Sequence, residues 1–322
     1  MARIIKPGQK GKSPIPKEDQ EILSYAERET DERLQCLANR ENAALIAFIA
    51  PYVGVKVSPN RVARATINLP DEFGMEHVVK KLTESNVTKA YFLINSPGGG
   101  LDSAYKIARA MRVCIPDITT FVPHIAASGG TLLALTGNQI VMGPMSHITP
   151  LDVQIYSSGA YHSAATFMRF YNRAVGWFET TTPDDAPYPS KALTDKLDPL
   201  LMEEWDGAMM TTAEYVAEIL DLSGYEQAVE IAARLVYSYS SHSYVINEEK
   251  AKALGLNVRN AMEYGTIWQD MRYWLGKYVM EQGATHHIRY TLPSPNSNDV
   301  VANTDAGETA TPPRKGAKND GK

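Results

Sequence analysis

Cysteine is scarce: Cys36 and Cys114 are the only 2 in 322 residues. They lack the paired spacing of a metal knuckle, and so few thiols suit a reducing compartment. No apolar run approaches the roughly 18 residues of a membrane-spanning helix. Ala43–Ala50 is apolar but short, and too far from the start to be a secretory leader. A cytoplasmic location is therefore expected. Positive charge is not concentrated either. The net charge is -5 and no basic stripe stands out, which removes the usual footprint of a nucleic-acid binder. No Gly-Lys-Ser/Thr follows the glycine cluster at Gly98–Gly100, so a nucleotide-phosphate loop is not expected. His286-His287 has no nearby Cys or carboxylate at metal-ligand spacing. Nothing resembling a nicotinamide or pyridoxal signature is present, and no cofactor or metal is expected. From Ser294 to Lys322 there is no aromatic, Leu, Ile or Met, a composition that cannot build a core.

What is present is a 44% apolar chain, enough for one large α/β domain with tails. The expected division is an N-terminal arm and helix at 1–42, a folded domain at 43–285 and a C-terminal tail at 286–322. The organising stretch is Tyr91–Met142. Tyr91–Ile94 is a short apolar run ended by Asn95-Ser96-Pro97-Gly98-Gly99-Gly100, the pattern of a buried strand stopping at a tight turn. Ala104, Ile107, Ala108 and Met111 then recur at helical spacing, with Asp102 or Ser103 placed to cap. Ile118–Val122 reads as a second strand. It leads through Pro123-His124 into Ala126-Ala127-Ser128-Gly129-Gly130, a buried helix from Thr131 to Leu135, and a third strand at Gln139–Met142. Two glycine turns thus follow two strands, where parallel sheets hold their ligands.

Elsewhere, Ala43–Ala50 and Val53–Val57 read as strands, and Ile67-Asn68-Leu69 as a short one. Phe73–Glu84, with Met75, Val78, Val79 and Leu82 on one face, reads as a helix on the sheet. Tyr156–Phe178, Leu197–Leu222 and Tyr225–Tyr237 read as helices. Asn247 is placed to cap Glu248–Leu254, with Gly255 at its C-terminal end. Tyr264, Trp268, Tyr273, Trp274 and Tyr278 form an aromatic-rich segment suited to a subunit contact.

Ser128, between a strand and a helix and flanked by small residues, fits an exposed nucleophile on a sharp turn, although G-x-S-x-G is absent. Its plainer reading is a helix cap. The amides after Ser128 and in the Gly98–Gly99 turn could together form an oxyanion hole, with Gly99 and Gly129 as donors. His124 is expected to satisfy backbone groups rather than move protons.

These motifs carry a resemblance. INSPGG after a strand, followed by ASGG opening a helix, resembles the Clp protease/crotonase superfamily. VPHIAASGGTLLAL, ITPLDVQ (Ile148–Gln154), His242-Ser243-Tyr244-Val245-Ile246 and EEKAKALGL (Glu248–Leu256) are similar to the serine dehydrogenase proteinase family, relatives of signal peptide peptidase A. The likeness covers roughly Ala43 to Val258. It implies a Clp protease/crotonase-like α/β fold, a parallel-rich sheet flanked by helices. It also implies a serine peptidase acting on peptides or proteins through Ser128, and a homo-oligomer. In the Clp protease subunit the triad histidine aligns near Leu151 and its acid near Ser243, so both are expected to be missing. Signal peptide peptidase A relatives use a lysine, which here implies a dyad through Lys196 or Lys191. His147 and His242 stand as alternative bases. Two other readings stay open: a crotonase-type acyl-CoA enzyme, which uses the paired amides without a serine, and an inactive member that binds peptides or partners.

Overall fold

The structure is a computed structural model. It describes residues 32–50, 56–58, 61–62, 66–157, 160–179, 181–182, 184–185, 188, 191–192, 198–280 and 287–294. Helix α1 (32–41) leads into β1 (Ala44–Ile49), and a small hairpin pairs β2 (Lys56–Ser58) with β3 (Arg61–Val62). Residues 53–55 of the expected second strand lie outside the described residues. Then come α2 (Leu69–Glu84), β4 (Lys89–Asn95), α3 (Leu101–Cys114), β5 (Asp117–Val122), β6 (Ile125–Ala126), α4 (Gly129–Ala134), β7 (Gln139–Met142) and β8 (His147–Ile148). The remainder is β9 (Gln154–Ser157), β10 (Ala160–Ser163), α5 (Ala164–Glu179), α6 (Pro199–Leu222), α7 (Ala228–Tyr237), α8 (Glu248–Ala253), β11 (Val258–Asn260), α9 (Gly265–Met280) and β12 (His287–Thr291).

The main sheet runs β11-β7-β5-β4-β1-β12. Every pairing from β11 to β1 is parallel, and only β12 is antiparallel. Both faces are covered. Ala44, Ile46 and Phe48 of β1 enter one apolar cluster with α2, α3 and α4, whereas Leu45, Ala47 and Ile49 enter a second with α1 and α9. A strand buried on both faces cannot alternate with polar residues, which is why β1 and β4 are continuous apolar runs. The fold is α/β with a mostly parallel sheet flanked by helices, as the motifs implied.

A second, smaller layer grows from the strand ends. Ser96 bridges Ala126, β6 pairs in parallel with β8, and Ile148 bridges Ile246 in antiparallel sense. Four chain segments therefore lie side by side beyond the C-terminal edge of β4 and β5.

Several expectations need correction. Tyr156–Phe178 is not one helix. It opens with the antiparallel hairpin β9–β10, in which Tyr161 pairs with Tyr156, and α5 begins only at Ala164. Aromatic and β-branched residues favour the extended chain until that small residue. The sheet also crosses the expected boundary at 285, because β12 pairs with β1 from Leu45↔Thr291 to Ile49↔His287. A short strand among polar residues carries little local signal, and it is fixed by an edge far away in sequence. Ile67 makes a single bridge to Gly99, while Asn68 is the N-cap of α2, which starts at Leu69. The N-cap of α3 is Gly100, and Ser103 instead donates to Glu72 at 2.6 Å. The aromatics expected at a subunit contact mostly pack on the chain's own core. Trp274 is 1% exposed, and Tyr264 and Trp268 pack half-buried on the same cluster. Tyr273 is exposed.

Candidate active site

β4 and β5 are adjacent parallel strands, so the turns that follow them meet. The first turn, Pro97–Gly100, is threaded through Ile67: Ile67 N–H donates to the Gly98 carbonyl and Gly100 N–H to the Ile67 carbonyl, both at 2.8 Å. Gly98 and Gly99 have φ of 98° and 150°. A methyl at Gly99 would sit 2.1 Å from Ile67 N, and one at Gly98 2.4 Å from the Ala127 carbonyl and 2.7 Å from Ser128 Cβ. Only glycine allows this conformation and this approach. The turn is braced from behind by α3, which Glu72 of α2 and Glu218 of α6 hold through Ser103, Tyr105 and Arg109. The Tyr105 and Arg109 donors hold the Glu218 carboxyl below the usual carboxylate range.

The second turn carries Ser128 at the N-terminus of α4, with φ 49° and ψ -122°. Among the described residues it is one of 3 non-glycine residues at positive φ, with Asn42 and Asn86. Asparagine tolerates that region; serine there is a strained elbow held by its surroundings. The surroundings are specific. Ser128 N–H donates to Thr149 Oγ1 at 2.9 Å, and Thr149 N–H donates to Thr131 Oγ1 at 3.1 Å. Thr131 Oγ1 lies 2.8 Å from the Ala126 carbonyl and 2.9 Å from the Thr149 carbonyl. Among the described residues Ser128 Oγ makes no hydrogen bond, so the side chain is not a helix cap.

Two amides stay unused. Gly99 N–H and Gly129 N–H donate to no acceptor among the described residues. The turns touch at these glycines, since a methyl on Gly129 would lie 3.4 Å from Gly99 N. A cavity of 770 Å³ opens in front of them, lined by Gly98–Gly100, Ser128, Asp152 and His242 among others.

Lys191 is not part of that wall. Lys191 Nζ donates to the Asp184 carbonyl at 3.0 Å, and Lys191 does not line the cavity. Lys196 lies outside the described residues. His147 is paired with His124 instead, ring centroids 6.2 Å apart; burial, followed by the His124 charge, pushes its pKa down. His124 does not serve the role expected of it: among the described residues its Nδ1 is buried without a partner.

The arrangement not foreseen is the contact between Asp152 and His242. Asp152 Oδ1 lies 2.5 Å from His242 Nδ1, with the carboxylate side chain 4% and the imidazole 27% exposed. Gln154 Nε2 donates to the other carboxylate oxygen at 3.2 Å. The positions adjoin the two that the resemblance marked for a histidine (Leu151) and an acid (Ser243). An acid therefore stands beside the expected histidine position, and a histidine beside the expected acid position. Each lies in a quoted motif, ITPLDVQ and HSYVI, so the residues were visible and only their pairing was not.

The elbow serine, the paired glycine turns and the mostly parallel sheet define a ClpP-like serine proteinase architecture. A family model described as ClpP-like SDH-type serine proteinase matches residues 75–303, and the chain belongs to that family. Two uncharacterised proteins of Methanocaldococcus jannaschii are similar to it. One is 26% identical over 273 residues, covering 84% of this chain and 80% of the relative. The other is 29% identical over 227 residues, covering 70% and 71%. Among solved structures, a membrane-bound stomatin-specific protease is 15% identical with a TM-score of 0.42, covering 64% of this chain and 79% of its own. The ClpP protease catalytic domain from Plasmodium falciparum is 16% identical with a TM-score of 0.33, covering 60% and 79%. Among the described residues no helix is long and apolar enough to cross a membrane.

Proposed function

We propose that this chain hydrolyses peptide bonds through an acyl-enzyme on Ser128. The carrying observation is the strained Ser128 elbow beside two amides, Gly99 and Gly129, that donate to no acceptor among the described residues. A peptide in the 770 Å³ cavity presents its scissile carbonyl to Ser128 Oγ. The oxygen adds to the carbonyl carbon, and the negative charge that develops is received by the two amides. One such donor is worth on the order of 3 kcal/mol in the transition state. Collapse expels the amine and leaves an ester, which water then cleaves. No cofactor is needed. The substrate class is peptide or protein, the working location is the cytoplasm, and the working form is a homo-oligomer. The finer expectation of a Ser-Lys dyad rests on Lys196 alone, since Lys191 is engaged with Asp184.

Fluorophosphonate labelling and casein hydrolysis by the purified chain test this reading. Both are expected to vanish in Ser128→Ala while the melting temperature holds. Hydrolysis that survives the substitution removes it. Retention of coenzyme A without serine labelling would instead point to the crotonase-type reaction. Light scattering at micromolar concentration reads the assembly, and a monomer mass removes the oligomer.

A further inference from the structure

We propose that the cavity between β10, the start of α5 and residues 240–242 is a second substrate pocket, which selects an aromatic side chain at a position other than the acylated residue. This rests on the Ser128 reading above. The cavity measures 550 Å³, within the range of small-ligand pockets. It adjoins the 770 Å³ cavity in front of Ser128, because Gln154, Tyr161 and His242 line both. Ser128 and the Gly98–Gly100 turn line only the larger one. A peptide attacked by Ser128 therefore places the reacting carbonyl in the larger cavity. An extended chain advances about 3.3 Å per residue, so a neighbouring residue along the peptide reaches the smaller one.

The walls decide which side chain fits. Phe167 and Phe170 are three residues apart on α5, so both face the same side of the helix. Tyr161 and His162 of β10 add two more rings. These rings are held by their neighbours. Phe167 packs on Trp205 of α6 with 4.6 Å between centroids and meets His162 edge-on at 5.9 Å, and Phe170 meets Trp177 at 6.1 Å. Arg169 joins the two sides of the cavity. Its Nη1 donates to the Tyr239 carbonyl at 3.2 Å and its Nη2 to Thr166 Oγ1 at 2.9 Å, which ties the segment that carries Ser240–His242 to α5. An aromatic ring entering between such walls finds the edge and face partners that aromatic pairs prefer. Among the described residues no Lys, Arg, Asp or Glu lines the cavity, so a charged side chain would lose its water without gaining a counter-ion. Ser163, Thr166, Ser240 and Ser241 supply hydroxyls, which suit a phenol as well as a phenyl ring. The substrate class is thus a peptide with Tyr, Phe or Trp beside the residue that is acylated or a few positions from it.

The test uses the full chain and internally quenched alanine peptides in which one position at a time carries Tyr, Phe, Leu, Asp or Lys. Mass spectrometry of the products fixes the cleavage point. The readout is a ratio, kcat/KM for the substituted peptide over kcat/KM for the alanine peptide, so that a variant's active fraction cancels. At one position other than the acylated residue, Tyr and Phe are expected to raise the ratio roughly 10- to 100-fold, the scale of burying one large side chain. Leu is expected to give less, and Asp and Lys no gain. Phe170→Ala removes one wall and Ser240→Trp fills the space, and each is expected to bring the aromatic ratio back toward one. Ser240 is exposed, so Ser240→Trp decides the matter should Phe170→Ala fail to fold. A parent ratio near one at every position other than the acylated residue overturns the proposal. An aromatic ratio undiminished in the folded variants overturns it too. Binding needs no hydrolysis and separates the two readings. Fluorescence anisotropy of labelled tyrosine and alanine peptides with Ser128→Ala is expected to show roughly 10-fold tighter binding of the tyrosine peptide. Tighter tyrosine binding, with a parent chain that cleaves no peptide and takes no fluorophosphonate, removes the nucleophile and leaves the pocket. Equal binding and equal turnover of the two peptides, with labelling that depends on Ser128, removes the pocket and leaves the nucleophile. Equal binding with no cleavage and no label removes both.

Discussion

Thr149 Oγ1 accepts the backbone N–H of Ser128 at 2.9 Å, and this bond ties the elbow to the segment that follows β8. It engages the serine's own amide in the threonine lock, whereas the next amide, Gly129, donates to no acceptor among the described residues. Thr149 and Thr131 are 4% and 0% exposed, so neither can be replaced by water.

Thr149→Val keeps the shape and removes the acceptor. The Ser128 amide is then buried and unpaired, a loss of about 1–3 kcal/mol, and the elbow is released from its positive φ. The expected outcome in denaturant titration is a lower midpoint, accompanied by slower fluorophosphonate labelling. Thr149→Ser retains the oxygen and should stay near the parent on both measures. Equal stability of the valine and serine variants would show that the lock is not used.

Gly98 joins the two turns by contact. Its φ of 98° already disfavours a side chain, and an added methyl would press on the Ala127 carbonyl and on Ser128 Cβ. Neither is the flexible end of a long chain. Gly98→Ala should therefore cost more than about 2 kcal/mol and abolish labelling even at temperatures where the variant is folded. Circular dichroism melts paired with labelling on the same sample check this. A variant that labels at the parent rate would show that the turns do not depend on each other.

The two glycine motifs were legible because each is local: a strand, a turn and a helix start lie within a dozen residues, as at Leu93–Leu101. The continuous apolar runs of β1 and β4 likewise announced strands buried on both faces. The Asp152–His242 pair was not legible, since its members are 90 residues apart and meet only through an antiparallel bridge at Ile148 and Ile246. β12 was missed for the same reason, its partner β1 lying near the other end of the folded chain. The β9–β10 hairpin was misread as helix because Ala160, Ala164 and Ala165 suit a helix, whereas Ile155, Tyr156 and Tyr161 suit a strand. Aromatic content at Tyr264 and Trp274 gave the residue type but not the destination, which is the core beneath α9.

Glycines without a structural task should behave in the opposite way to Gly98. Gly176 in α5 and Gly207 in α6 lie in exposed helix interiors, and a methyl at either would meet nothing within 4 Å. Alanine reduces the entropy of the unfolded chain and favours the helix, worth about 1 kcal/mol at each site. Gly176→Ala and Gly207→Ala should each raise the denaturation midpoint, and the double variant should show the sum. A lowered midpoint at either site would mean that its helix carries a constraint which the exposed surface does not reveal.

His147 supplies a pH dependence separate from catalysis. Burial, followed by the charge of His124, pushes its pKa below the ordinary value of 6.5. The unfolded chain thus binds a proton at His147 at a pH where the folded chain does not. Stability rises with pH wherever the unfolded state holds more protons. The contribution of His147 is therefore fully favourable above about 6.5. It diminishes as the pH falls, and levels off once the pH passes below the folded pKa, where both states are charged. His147→Asn removes this term and leaves the rest of the titration in place. Urea midpoints measured from pH 7.5 down to pH 5 should fall more steeply for the parent than for His147→Asn, with the curves separating below about pH 6.5. His124 faces His147 across 6.2 Å, so His124→Asn, which removes one cause of the depression, should give an intermediate slope. Parallel curves for the parent and His147→Asn would place the acid sensitivity of the fold elsewhere.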